Sequence, residues 1–189
     1  MSFSVPPLGL GLACTVLLQG CMAVAPAPVA VQDAPHFLAV IHVAPETSGP
    51  TQVSARCPTP ARASADTQRM VALVNAERAS HGLAPLRTSG KLARAAQAHA
   101  CDNAARNSFS HYGSDGSDLG MRLRRVGYRL STAAENTGLG FADASQLVSY
   151  WMNSPGHKAN ILNPSMTELG LGQADGTRPT WVLDFGRPR

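Results

Sequence analysis

A chain of 189 residues with 44% hydrophobic and 15% charged residues can bury a core, which excludes a wholly disordered polymer. That length accommodates one domain plus an extended or processed region. The net charge of +4, carried almost entirely by Arg, favours anionic surfaces such as lipid headgroups or acidic wall polymers without selecting one. No run of five basic residues occurs, so nucleic acid is not an expected partner, and Arg122, Arg124 and Arg125 read as a solvated face.

Residues 8–20 (LGLGLACTVLLQG) form an uncharged segment followed at once by Cys21. It is too short to span a membrane, which takes about 20 residues, and has the length of a signal-peptide apolar region. Leu18-Gln19-Gly20-Cys21 resembles the bacterial lipobox, in which the Cys is lipidated and becomes the new N-terminus. Residues 1–20 are therefore expected to be a signal peptide, and Cys21 a lipid anchor to a membrane. Residues 1–7 lack the usual Lys or Arg, so a plain cleaved signal with an incidental Cys21 is the competing reading. Residues 21–61 are rich in Pro and Ala and read as a semi-extended spacer, leaving 62–189 as the folded domain.

With Cys14 in the signal and Cys21 at the anchor, Cys57 and Cys101 remain. In an oxidising compartment they are expected to pair, with a loop-closure contribution of about 4 kcal/mol. Two unpaired thiols are the alternative, because sequence does not fix the distance between them.

Within the domain, residues 66–80 place Met70, Leu73 and Val74 at three-to-four spacing, with Asp66 or Ser64 as N-cap and Gly82 just past the end. Residues 89–107 carry a stripe of small residues that suits a closely packed second helix, on which His99 reads as a satisfied core histidine. Residues 121–126 read as a short helix ending at Gly127. Residues 143–152 read as a longer one with Leu147, Val148 and Trp151 inward. Strand patterns cover 133–139, 168–173 and 180–185, the last two joined by an Asp-Gly turn signal. Helices mixed with antiparallel strands imply a layered fold.

Read in order, residues 73–86 (LVNAERASHGLAPL), 109–117 (FSHYGSDGS), 122–128 (RLRRVGY), 134–136 (AEN), 151–164 (WMNSPGHKANILNP), 168–172 (ELGLG) and 181–186 (WVLDFG) resemble the bacterial secreted members of the CAP superfamily, also called SCP-like. The resemblance spans 64–187. It implies an α+β fold, a three-layer α-β-α sandwich around a central antiparallel sheet, with an open cleft marked by two His and two Glu. His111, Glu135 and His157 match three of those positions. The fourth is missing, since Trp151 is followed by Ser154 where animal relatives have Glu, and Pro155 stands where some bacterial relatives have it.

Two imidazoles and a carboxylate form a ligand set for Zn²⁺ or another divalent cation. Glu135 serving only to hold an imidazole is the architectural alternative. Asn136 is expected to satisfy local backbone. Ser154, His157 and Glu135 have the residue types of a serine hydrolase triad, but no G-x-S-x-G elbow accompanies them, and the NSPGH turn suits a helix cap better than a nucleophile. The resulting expectation is an exported, membrane-tethered binding module, not an enzyme, holding a lipid, sterol-like molecule or other envelope ligand. A metal-assisted or serine-type hydrolase of peptides or wall material is the alternative. Oligomeric state is not legible in the sequence.

Overall fold

The computed structural model of the protein describes Cys57 and residues 59–189. The expected signal segment, Cys21 and most of the 21–61 spacer lie outside the described residues. Helix α1 (Ala63–Ser80) buries Met70, Val74 and Arg78 and stops at Gly82, whose φ of +70° is the left-handed turn that glycine adopts freely. Arg78 occupies the inner stripe because its guanidinium donates to the carbonyls of Ala84, Ile161 and Asn163, tying the following loop and the chain beyond the last helix to α1.

Strand β1 (Arg87–Thr88) is a two-residue edge. It leads into α2 (Gly90–Ala105), whose small residues Ala95, Ala96 and Ala100 are buried. Helix α3 (Leu119–Arg125) is capped by Asp118, which accepts from the Met121 N–H at 2.7 Å, and it stops at Gly127, φ +70°. Strand β2 (Leu130–Leu139) is followed by α4 (Ala144–Met152), capped by Asp143 and burying the expected Leu147, Val148 and Trp151. Ser154 precedes α5 (Pro155–Ile161), with Pro at the first helical position. Strands β3 (Glu168–Ala174) and β4 (Thr180–Pro188) form the expected hairpin.

The sheet order is β1-β3-β4-β2. β3–β4 and β4–β2 are antiparallel, while the short β1 pairs parallel with β3. Trp181, Leu183 and Phe185 on β4 join Met70, Val74, Leu147, Trp151 and Ile161 in one core, so α1, α4 and α5 cover one face. Alternation sends Val182 to the other face, where it packs with Ala96, Ala100 and Ala104 of α2. Leu119 and Leu123 of α3 pack with Leu92, Tyr128 and Ala133 on that second side. The result is the three-layer α-β-α arrangement.

Two devices bring α2 close to the sheet. Gly170 and Gly172 on β3 face its backbone, and a Cβ at either would overlap main-chain atoms of Leu92–Ala93 or Ala96–Gln97. Beyond the reach of β1, the open edge of β3 is satisfied by a side chain: Gln97 Nε2 donates to Gln173 O at 2.6 Å, and Gln97 Oε1 accepts from Gln173 N at 3.1 Å. The Cys57–Cys101 disulfide, with Cα atoms 5.5 Å apart, fastens the chain ahead of α1 to α2. Among the described residues no helix is long and apolar enough to cross a membrane.

Candidate functional site

Strand alternation sends Glu135 and Asn136 of β2 to opposite faces of the sheet. Glu135 is directed to the α2/α3 side, where the loop after α2 brings His111 over it. The carbonyl of Phe109 accepts from Thr137 Oγ1 at 2.8 Å, so β2 itself holds this loop. His111 Nδ1–H donates to Glu135 Oε1 at 2.9 Å, and Arg122 Nη2 donates to Glu135 Oε2 at 2.6 Å. The His111 side chain is 55% exposed and that of Glu135 only 3%, so a buried carboxylate orients an imidazole at the surface. Arg122 Nη1 also donates to the carbonyls of His111 and Ser117, fixing both ends of the loop.

His99 lies beneath this pair, 3.8 Å from Glu135 Oε1. Burial lowers its pKa more than the Glu135 charge raises it, so it is neutral, and its Nε2–H donates to the Ser110 carbonyl at 2.8 Å. This is the expected core histidine, with the added role of holding the loop.

Directly across from Glu135, in register on β4, stands Asp184, fully buried. Burial pushes its carboxyl well above the usual carboxylate range, and the adjacent Glu135 charge pushes it further. Burial also opposes ionisation of Glu135, but the His111 hydrogen bond and the Arg122 charge outweigh it and hold that carboxyl well below its ordinary value. Of the two carboxyls, Asp184 is therefore the one that favours the protonated form and Glu135 the one that favours the ionised form. A group whose folded pKa is raised destabilises the fold once pH passes its unfolded pKa. Asp184→Asn is accordingly expected to raise the urea midpoint at neutral pH, with the advantage shrinking as pH falls toward about 4 and gone below it. A difference independent of pH would show Asp184 to be ionised.

His157 belongs to a different network. Asn136, on the opposite face, donates to the His157 carbonyl at 3.2 Å and accepts from Asn160 Nδ2 at 2.9 Å, locking α5 against β2. The His157 ring sits 6.0 Å from that of Tyr150 and 6.2 Å from that of Trp151, centroid to centroid, with Nδ1 2.9 Å from Ser154 Oγ. Ser154 is the N-cap residue of α5 and His157 its third residue, so this contact joins two side chains across the first turn without capping a helix N–H. Asn136 thus satisfies not the local backbone expected of it but a carbonyl 21 residues along the chain.

The expected metal set is not assembled. His111 and Glu135 meet, but His157 is held separately, and among the described residues no group of three His, Cys, Asp or Glu side chains is arranged to hold a metal ion. Both Glu135 oxygens are already engaged, one by a guanidinium whose positive charge would oppose a dication. These residues do not fit Zn²⁺ or a similar ion. The Ser154/His157/Glu135 triad is likewise not formed, since Glu135 pairs with His111 and Arg122.

The sequence profile of the cysteine-rich secretory protein family, CAP, matches residues 71–185, which is more than half of the chain. The chain belongs to the CAP family. The chain is 36% identical over 143 residues to the uncharacterized protein YkwD of Bacillus subtilis, covering 75% of this chain and 54% of that protein. It is 33% identical over 105 residues to the uncharacterized membrane protein YlbC of the same organism, covering 56% of this chain and 30% of that one. The chain thus spans about half or less of the length of these relatives. Among solved structures, an SCP-domain extracellular protein of Bacillus anthracis is similar, with a TM-score of 0.63 at 30% identity over 69% of this chain and 44% of that one. An outer surface protein of Borrelia burgdorferi shares the fold, with a TM-score of 0.61 at 19% identity over 65% and 92% of the two chains.

Two groups central to the CAP domain's buried network escaped the sequence reading. Arg122, read there as part of a solvated face, is buried; it stands between Leu119 and Leu123 on the inner stripe of α3, which is the signal that locates it. Asp184 interrupts the otherwise apolar run 181–185, and a lone acid in a strand buried on both faces marks an unusual environment.

Proposed function

We propose that this is an exported, membrane-tethered CAP-domain protein that holds an amphiphilic envelope ligand, a lipid or sterol-like molecule, beside His111 and catalyses no reaction on it. The observation that carries this reading is the surface around that imidazole. Phe109, Tyr112 and Met121 are the exposed large hydrophobic residues of the described chain, at 49%, 64% and 38%, and they bracket His111 in sequence. Apolar groups of this size left in water on a loop that is otherwise tightly fastened favour an apolar partner. The oriented imidazole supplies one polar contact for a headgroup, with Nε2 as the ring nitrogen not engaged by Glu135.

Export is supported by the apolar segment ahead of Cys21 and by the extracellular and outer-surface descriptions of the B. anthracis and B. burgdorferi proteins. The test is titration of the full chain with cis-parinaric acid, following its fluorescence, in wild type, His111→Ala and Phe109→Ser/Tyr112→Ser. Saturable binding weakened roughly 30-fold in the double variant is expected, since each of the two apolar anchors removed costs on the order of 1 kcal/mol. A smaller loss is expected for His111→Ala. Equal binding by all three proteins would overturn the assignment of the site.

A further inference from the structure

The strand register gathers the chain's cations at one end of the sheet. β2 begins where β4 ends, with Thr132 opposite Arg187, and β3 begins there too, with Glu168 opposite Gly186 and beside Arg87 of β1. The first turn of α2 and the last turn of α3 arrive at the same end, joined by Lys91 Nζ, which donates to the Gly127 carbonyl at 2.8 Å. The Arg189 N–H donates to the Arg129 carbonyl, closing the group.

Seven cations, Arg87, Lys91, Arg124, Arg125, Arg129, Arg187 and Arg189, therefore share one end, and all but the half-exposed Arg125 are exposed. Two carboxylates accompany them: Glu168, 3.4 Å from Arg87, and Asp115, 2.6 Å from Arg125. Seven positive side-chain charges less two negative ones leave a local +5, against a formal +4 for the whole chain. Arg124, Arg129 and Arg187 have no ion-pair partner among the described residues. The opposite end, where β2 and β3 finish and β4 starts, carries Asp102, Asp143 and Asp175 against Arg106 and Arg178, a local −1. The domain is thus polarised along its strands.

We propose that this basic end docks the domain on an anionic phospholipid bilayer. Its cations come from separate segment ends distributed over the end of the sheet, which suits a plane of charge better than a single polymer strand. Arginine predominates, and its planar fork takes phosphate oxygens two at a time. Each exposed cation brought to such a surface adds its own attraction to anionic headgroups. The surface is separate from the His111 site, so the inference stands or falls independently of the ligand reading.

The test is sedimentation of the full chain with vesicles of phosphatidylglycerol and phosphatidylcholine in equal parts, against vesicles of phosphatidylcholine alone. The second set subtracts any contribution of the apolar N-terminal segment. Arg124→Gln/Arg129→Gln/Arg187→Gln is compared with Arg62→Gln/Arg69→Gln/Arg178→Gln, which removes the same three charges from exposed positions elsewhere. The proposal expects salt-sensitive binding to the anionic vesicles, weakened at least about tenfold in the first variant and little changed in the second. Equal weakening in both variants would reduce the effect to net charge and overturn it. So would failure of the wild type to prefer anionic vesicles, or its release from them by an equal concentration of phosphate groups as soluble inorganic polyphosphate, which would assign the surface to a polymer.

Discussion

Alanine at Gly170 or Gly172 is expected to cost the domain at least about 3 kcal/mol, enough to remove most of the stability of a small domain. At both positions the added methyl group would meet main-chain atoms of α2, not the movable end of a side chain. Relief therefore requires the whole helix to rise from the sheet. That movement would open the Ala96, Ala100 and Val182 packing and pull Gln97 away from the backbone of Gln173. Thermal unfolding followed by circular dichroism measures the effect. Gly90→Ala is the control: it opens α2, a Cβ there meets only Arg94 Nη1 at 3.9 Å, and the change should be neutral or mildly stabilising. A wild-type midpoint for Gly172→Ala would show that α2 and β3 are not in close contact.

Arg122→Met should cost about 3–5 kcal/mol, the expected penalty for leaving a buried ionised partner uncompensated. Glu135 is nearly inaccessible and ionised largely because His111 and Arg122 touch it, and the same guanidinium ties down the carbonyls of His111 and Ser117. Adding Glu135→Gln to the Arg122 variant removes the stranded charge and should recover a substantial part of the loss. Urea unfolding of the wild type, both single variants and the double variant isolates that coupling. Strictly additive costs would mean that Glu135 is not held by Arg122, and the orientation of His111 would then need another cause. The linkage signs agree with this picture. The depressed Glu135 carboxyl contributes stability above its unfolded pKa that is lost as pH falls, and neutral buried His99 adds a penalty once pH drops below about 6.5. Both make the loop that carries His111 acid-labile, while Asp184 works in the opposite direction.

What was legible in the chain followed from local rules. The stops of helices depend on residues a few positions apart, so the glycines ending α1 and α3 could be read directly, whereas the expected caps Ser64 and Asp66 lie inside α1, which starts earlier, at Ala63, after Arg62. The alternation and turn signal of 168–185 gave the β3–β4 hairpin for the same reason. The short β1 could not be read, because two residues carry no periodicity and its pairing is supplied by β3, far along the chain.

Residue order alone carried the family, the layered architecture, the expectation of a Cys57–Cys101 bridge, and the membership of His111 and Glu135 in one site. What Glu135 faces came from the folded arrangement. A carboxylate has a limited number of acceptor positions, and a nearby guanidinium that local charge patterning placed in solvent had already taken one oxygen. Strand alternation then set Glu135 and Asn136 on opposite faces, so residues one apart in sequence hold His111 and α5 in separate networks. The raised pKa of the Asp184 carboxyl was equally hidden, for it depends on a distant neighbour brought opposite by β-sheet register, and on burial from both sides. Motif order can name the participants in such a site, but the distribution of charge among them is fixed by long-range contacts and by the exclusion of water.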